Sequence, residues 1–210
     1  MLKVPGKPRV YTRGRISKGS GTMILQQPLL KATVKLSALI ADLDERWAIG
    51  GDVGELLLGV DVKADHLEIV TTRKGSEAIG AKFQQLSVPS TSEVQDGSAN
   101  LGAKETEKKL ERLADCSGNL YAVSVRSHYV EVVLDGIRVE VYGDLQYRVG
   151  ELEWGDPVVF EPTEVSIVGT SLRVFPLGLK SEIYLALGWV DRVDKISEAL
   201  MRSQPTSRTG

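Results

Sequence analysis

A pair of glycines, Gly50 and Gly51, lies between two short apolar runs and constrains the fold more than any other feature of this sequence. The run before the pair, Trp47–Ile49, is typical of a very short strand. The run after it stops at Gly59 and predicts a short helix that Asp52 caps at its N-terminus. Two adjacent glycines let the chain turn tightly, and they also let a phosphate approach the exposed N–H groups. We therefore expect a strand, a tight turn and a short helix here, whether or not the turn binds an anion.

The rest of the first half alternates between helical and extended patterns. Apolar residues three and four apart predict helices, alternation of apolar and polar residues predicts strands, and clusters of Ser, Gly and Asn predict loops. On these patterns we expect a helix from after Pro28 to near Arg46, a strand over His66–Thr72, a helix over Ser76–Leu86, a loop over 87–103 and a charged helix over Lys104–Cys116.

The second half of the chain is rich in predicted strands. Asp135 and Gly136 stand between two alternating stretches, which is a strong hairpin signal. We expect strands over Tyr121–Leu134, Ile137–Leu145, 158–160, 164–168 and 172–175, then a helical region over Leu179–Met201 with a break near Gly188. The order of elements predicts one α/β (α+β) domain over residues 23–202, with a mixed β-sheet flanked by helices.

The two ends of the chain differ from this domain in composition. The net charge of the protein is −2, but residues 1–22 contain six basic side chains and no acidic one. They lack apolar periodicity, so we expect a disordered basic arm that binds nucleic acid, or else a solvated tail or a misassigned start ahead of Met23. Residues 203–210 are expected to be a disordered tail.

Composition excludes several classes of protein. One cysteine, Cys116, cannot form an internal disulfide, and with only two histidines the chain cannot build a Cys/His zinc cluster. No apolar run is long enough to cross a membrane, and the N-terminus lacks an apolar leader. We therefore expect a cytoplasmic protein with no membrane partner.

Polar residues on two predicted strands point to a shared site. His66 and Glu68 are two residues apart and therefore share one strand face, whereas Asp65 should face the opposite side. Glu140 lies on a later strand between polar residues of the same parity. If the two strands are neighbours, Glu68 and Glu140 come together, and paired carboxylates hold Mg²⁺ for phosphoryl transfer.

This arrangement resembles the nucleotidyltransferase superfamily, which shares the fold of DNA polymerase beta. Its members carry a helix, a strand ending in a glycine turn, a short helix, and a strand with Asp-x-Asp, followed by a third acidic residue on a later strand. The resemblance covers Leu36–Thr72 well, Val130–Leu145 by its hairpin and acidic strand, and the C-terminal helices loosely. The chain looks most similar to minimal archaeal and bacterial members.

The resemblance implies transfer of a nucleoside monophosphate from an NTP to an acceptor hydroxyl with Mg²⁺ assistance. By this resemblance Gly50, Gly51, Asp52 and Lys180 would bind the nucleotide, and Glu68, Glu140 and His66 would be the catalytic and metal-binding residues. Arg138 and Arg192 are candidate charge clamps on a triphosphate, Asp144 is a less favoured substitute for Glu140, and Glu55 is expected to be solvated.

The chain departs from the family where the metal site should be. His66-Leu67-Glu68 stands in place of Asp-x-Asp, and Mg²⁺ prefers hard oxygen ligands to an imidazole. The alternative is therefore a catalytically degenerate fold that acts as a nucleotide-, RNA- or protein-binding module. The sequence leaves open the acceptor, the nucleotide and the oligomeric state.

A chain that begins at Met23 should fold as stably as the full chain, because residues 1–22 cannot offset the entropy of ordering them. Thermal unfolding of the two proteins should give midpoints within a few degrees of each other. A large loss of stability would show instead that the arm packs on the domain. If the arm binds nucleic acid, its deletion should also weaken the salt dependence of that binding.

Overall fold

A computed structural model of the protein describes residues 26–86, 104–114, 120–167 and 169–203. Within these ranges the chain forms five helices and seven strands. The helices are α1 (Gln27–Leu39), α2 (Gly51–Leu57), α3 (Arg73–Leu86), α4 (Leu177–Ala186) and α5 (Val190–Ser203). The strands are β1 (Trp47–Ile49), β2 (Leu67–Thr71), β3 (Lys104–Ala114), β4 (Leu120–Leu134), β5 (Ile137–Val149), β6 (Thr163–Ile167) and β7 (Thr170–Val174).

The strands form one mixed sheet in the order β3-β4-β5-β2-β1-β7-β6. Strand β2 pairs in parallel with β5, and β1 pairs in parallel with β7, whereas the other neighbouring pairs are antiparallel. A mixed sheet with helices confirms the predicted α/β (α+β) class. The short strands β1 and β2 lie at the centre of this sheet. The helices that follow them, α2 and α3, therefore begin at the middle of the sheet.

The two faces of the sheet carry different cores. The larger apolar cluster contains Leu36 from α1, Ile79 from α3, and Leu67 and Ile69 from β2, all of them fully buried. A smaller cluster on the other face contains Ala48, Val70, Leu145, Phe160 and Phe175. Because side chains alternate along a strand, the polar residue between Leu67 and Ile69 lies on the face of the smaller cluster. This face is where the candidate site is found.

The predicted hairpin is confirmed. Strands β4 and β5 are joined by Asp135 and Gly136, whose φ angles are 51° and 79°. Two successive residues with positive φ are characteristic of the tight turn whose twist matches that of the flanking strands. The predicted break in the C-terminal helical region is also confirmed, since Gly188 has a φ of 71° and separates α4 from α5.

The predicted charged helix over Lys104–Cys116 is wrong. Residues Lys104–Ala114 form β3, which pairs antiparallel with β4 at the edge of the sheet. The residues of this stretch are good helix formers, but each favours a helix by only a small free energy, which pairing with a neighbouring strand outweighs. A charged edge strand also resists pairing with other chains.

Smaller differences concern boundaries. Helix α1 ends at Leu39 rather than near Arg46. Residues 158–160, which are predicted to be a strand, form none. The N–H of Val158 nevertheless donates to the C=O of Leu145 at 2.8 Å. Ser203 is the last residue of α5.

Several predicted features lie outside the described residues: Cys116, the predicted arm, the loop over 87–103 and the rest of the predicted tail. Among the residues that are described, no helix has the length and apolar character needed to cross a membrane.

Replacing Leu36 by Ala should destabilise the protein strongly, because Leu36 is fully buried in the larger core. Loss of such a side chain costs about 2–5 kcal/mol of unfolding free energy. Leu185→Ala is the matched control, since Leu185 on α4 is 64% exposed and the change should cost no more than about 0.5 kcal/mol. Urea denaturation of both variants checks the difference, and equal losses would contradict the assignment of the core.

Candidate functional site

The glycine turn packs against the carboxyl group of Glu68. Gly50 flanks the start of α2, and its N–H donates to the backbone carbonyl of Glu68 at 2.8 Å. Gly51, the first residue of α2, has a φ of 55°, and a Cβ atom there would collide with the Glu68 side chain. A side chain at position 51 is therefore excluded both by backbone conformation and by space. The predicted capping role of Asp52 is wrong, because α2 starts one residue before it and no side chain caps the helix.

Glu68 and Glu140 lie opposite each other on neighbouring strands. The parallel register of β2 and β5 pairs these two residues directly. Glu140 is buried, with 6% of its surface exposed, and Glu68 is partly buried. The imidazole of His66 faces both: its Nε2 lies 3.3 Å from Glu68 Oε1 and 3.8 Å from Glu140 Oε2. The structure thus brings together the three predicted catalytic and metal-binding residues, whose roles remain predictions.

The other ring nitrogen of His66 contacts Asp65, whose Oδ1 lies 2.5 Å from Nδ1. The expectation that Asp65 faces away is wrong, because β2 begins only at Leu67 and strand alternation does not extend back to Asp65. The hydrogen bond to Glu68 is the main cause that raises the pKa of His66 from 6.5 to about 9. Burial opposes this shift, and Asp65 and the charge of Glu140 add to it.

Glu140 has two further partners on its own strand. Arg138 Nη1 lies 3.3 Å from Glu140 Oε1, and the Tyr142 hydroxyl donates to Oε2. Burial, followed by the hydrogen bond to Glu140, raises the pKa of Tyr142, so its hydroxyl keeps the proton that it donates. Both oxygens of Glu140 are therefore engaged by residues of this chain.

The side chains at this site do not fit Mg²⁺ in their present arrangement. Mg²⁺ requires near-octahedral oxygen ligands, and a protonated imidazole has no lone pair to offer a metal. His66 Nε2 stands within 4 Å of both carboxylates that would have to converge on the ion. Across the described residues, no group of three or more His, Cys, Asp or Glu side chains is arranged to hold a metal ion.

A buried carboxylate, that of Glu55, lies on α2, the helix that follows the glycine turn. The prediction that Glu55 is solvated is wrong: it is fully buried. Its Oε1 accepts from the Tyr184 hydroxyl at 2.6 Å and from Lys180 Nζ at 2.8 Å, and its Oε2 accepts from Arg192 Nη1 at 3.1 Å. Sequence reasoning missed this cluster because its donors come from α4 and α5, far along the chain.

Lys180, a predicted nucleotide-binding residue, and Arg192, a predicted charge clamp on a triphosphate, take part in this cluster. Lys180 also donates to the backbone carbonyl of Gly51 at 2.8 Å, and Arg192 also donates to Asp52 Oδ1 at 2.8 Å. These contacts join the start of α2 to the C-terminal helices. The ammonium of Lys180 therefore neutralises an internal carboxylate in this structure, and its role in nucleotide binding remains a prediction.

Comparisons with known proteins support the fold. No protein-family model matches the sequence, and no curated protein matches it significantly. A crystal structure of a candidate nucleotidyltransferase from Thermotoga maritima matches with a TM-score of 0.57 and 21% identity, over 84% of this chain and 95% of that chain. ANT(2″)-Ia in complex with adenylyl-2″-tobramycin matches with a TM-score of only 0.39 and 9% identity, over 83% of this chain and 89% of that chain. The protein has a nucleotidyltransferase-like fold.

The His66 contacts predict a pH-dependent stability. A pKa raised from 6.5 to about 9 means that folding favours the protonated ring. The resulting stabilisation should be complete below about pH 6.5 and should be lost as the pH rises through about 9. Urea denaturation between pH 6 and 10 should show this loss in the wild type.

The His66→Gln variant is the control for this measurement, because glutamine does not titrate. The difference in unfolding free energy between the two proteins isolates the contribution of His66 from other groups that titrate in the same range. A difference that stays constant across this pH range would contradict the proposed contacts of the ring.

Proposed function

We propose that this protein is a nucleotidyltransferase fold that binds a nucleotide without metal-assisted nucleotidyl transfer. The observation that carries the proposal is the position of His66, whose Nε2 faces Glu68 at 3.3 Å and Glu140 at 3.8 Å. Metal-dependent transfer would require a divalent cation at these carboxylates to activate the acceptor oxygen and balance the developing charge. The imidazole holds both carboxylates in an arrangement that such a cation does not fit.

The basic side chains around the site support the same conclusion. Arg138 contacts Glu140, Lys180 contacts Glu55, and Arg192 contacts Asp52 and Glu55. Each of these side chains was a candidate to meet a triphosphate. Because each already neutralises a carboxylate of this chain, a triphosphate would have to compete with internal ion pairs. Binding of a nucleotide through its base and ribose is therefore favoured over capture of the phosphates with a metal, and RNA and protein are the alternative partners.

Nucleotidyl transfer is the second candidate function. The specific observation that favours it is the register of β2 and β5, which places Glu68 directly opposite Glu140. The similarity in fold to the Thermotoga maritima structure, described as a candidate nucleotidyltransferase, is consistent with it. An active site of this kind would require His66 to leave the two carboxylates before a metal bound.

Binding of nucleotides with and without metal distinguishes the two functions. ATP, GTP, CTP and UTP, and the corresponding nucleosides, are titrated into the full-length protein by calorimetry, once with EDTA and once with Mg²⁺. We expect at least one nucleotide to bind with similar affinity under both conditions, and no pyrophosphate to form on long incubation.

Much tighter NTP binding in Mg²⁺, together with pyrophosphate release that Glu68→Gln abolishes, would instead establish the transferase. Glu164→Gln is the matched control for that variant, because Glu164 is an exposed acidic residue on the edge strand β6. If none of the nucleotides or nucleosides binds under either condition, the nucleotide-binding proposal is wrong, and RNA and protein partners become the functions to test.

A further inference from the structure

The imidazole of His66 contacts carboxylates through both of its nitrogens. Nδ1 lies 2.5 Å from Asp65 Oδ1, and Nε2 lies 3.3 Å from Glu68 Oε1. An ionised carboxylate can only accept hydrogen bonds, so a ring with a carboxylate at each nitrogen is best satisfied when both nitrogens carry a proton. The geometry therefore favours a cationic ring, held in its orientation by Asp65.

The two carboxylates that His66 faces need a positive charge between them. Glu68 and Glu140 occupy directly opposite positions on β2 and β5, and like charges at such positions destabilise a sheet. Burial of Glu140 strengthens the repulsion, because charges interact more strongly away from water. Arg138 contacts Glu140 at 3.3 Å, and His66 lies within 4 Å of both carboxylates.

We propose that His66, oriented by Asp65, is a resident cation that takes the place of a divalent metal ion between Glu68 and Glu140. The ring holds the two carboxylates together and keeps metal ions out of the site. This inference rests on the proposed function, in that it explains how the site works without a metal. It concerns the protein alone, however, and its test uses no nucleotide.

The test compares metal binding by the wild type and by His66→Asp, which replaces the ring by an oxygen ligand. Mn²⁺ is titrated into each full-length protein by calorimetry, and thermal unfolding is followed with Mn²⁺ and with EDTA. The wild type should bind no stoichiometric Mn²⁺ and should melt at the same temperature under both conditions. The variant should be less stable in EDTA, because three carboxylates then converge, and it should bind Mn²⁺ and gain stability from it.

The double variant His66→Asp/Glu68→Gln is the control for the position of the metal. Removal of one carboxylate ligand should weaken Mn²⁺ binding by about tenfold or more relative to His66→Asp. Equal binding by the two variants would place the metal elsewhere and overturn the inference. Stoichiometric Mn²⁺ binding by the wild type that Glu68→Gln abolishes would overturn it as well.

A spectroscopic measurement on the wild type covers the case in which His66→Asp fails to fold even with Mn²⁺. Nitrogen NMR of the His66 ring at neutral pH should show both nitrogens protonated, with signals that do not change when Mg²⁺ is added. A ring with a single proton, or one whose signals move on addition of Mg²⁺, would overturn the inference. None of these results depends on nucleotide binding, so failure of the proposed function and failure of this inference can be told apart.

Discussion

The carboxylate of Glu55 has no access to solvent, and its neutralisation determines how the glycine turn and the C-terminal helices fit together. An unpaired charge at that depth would be strongly destabilising. Tyr184 and Lys180 from α4 and Arg192 from α5 supply the donors that satisfy it. Because Lys180 also binds the carbonyl of Gly51, the same contacts hold the turn in place. The site therefore depends on helices that contribute no residue to the facing carboxylates.

A second group of charged side chains lies on the sheet face that carries the smaller core. The register of β2 and β5 forces Glu68 and Glu140 together, and His66 faces both of them. The Tyr142 hydroxyl donates a hydrogen bond to Glu140. Burial raises the pKa of this hydroxyl, so it keeps the proton that it donates. The charges at the site are thus neutralised by groups of the chain itself. This internal neutralisation is the physical reason for proposing a function that does not require a metal.

A nucleotidyltransferase-like fold does not by itself establish nucleotidyl transfer, because the reaction depends on particular side chains at the site. The protein has a glycine turn and two facing carboxylates, which are the parts of the site that the backbone positions. At the position where the resemblance implies an oxygen ligand, the chain carries His66, a nitrogen base that is charged in its protonated form. A different side chain at this position leaves the sheet intact but alters the chemistry of the site.

Several features of the fold and site follow from the sequence by itself. Gly50 and Gly51 predict the turn, Asp135 and Gly136 predict the hairpin, and strand alternation predicts that Glu68 points away from the larger core. These are local effects, since they depend on the backbone freedom of glycine and on the two-residue period of a strand.

Other features were decided only by the tertiary structure. Lys104–Ala114 contains good helix formers, but helix preference amounts to tenths of a kcal/mol per residue, and pairing with β4 outweighs it. Glu55 stands in an apolar run, but the partners that neutralise its buried charge, Lys180 and Arg192, lie more than 120 residues away along the chain. Asp65 likewise contacts His66 because the strand begins just after both of them. Long-range pairing and the neutralisation of buried charge depend on which segments meet in space, so only the folded chain determines them.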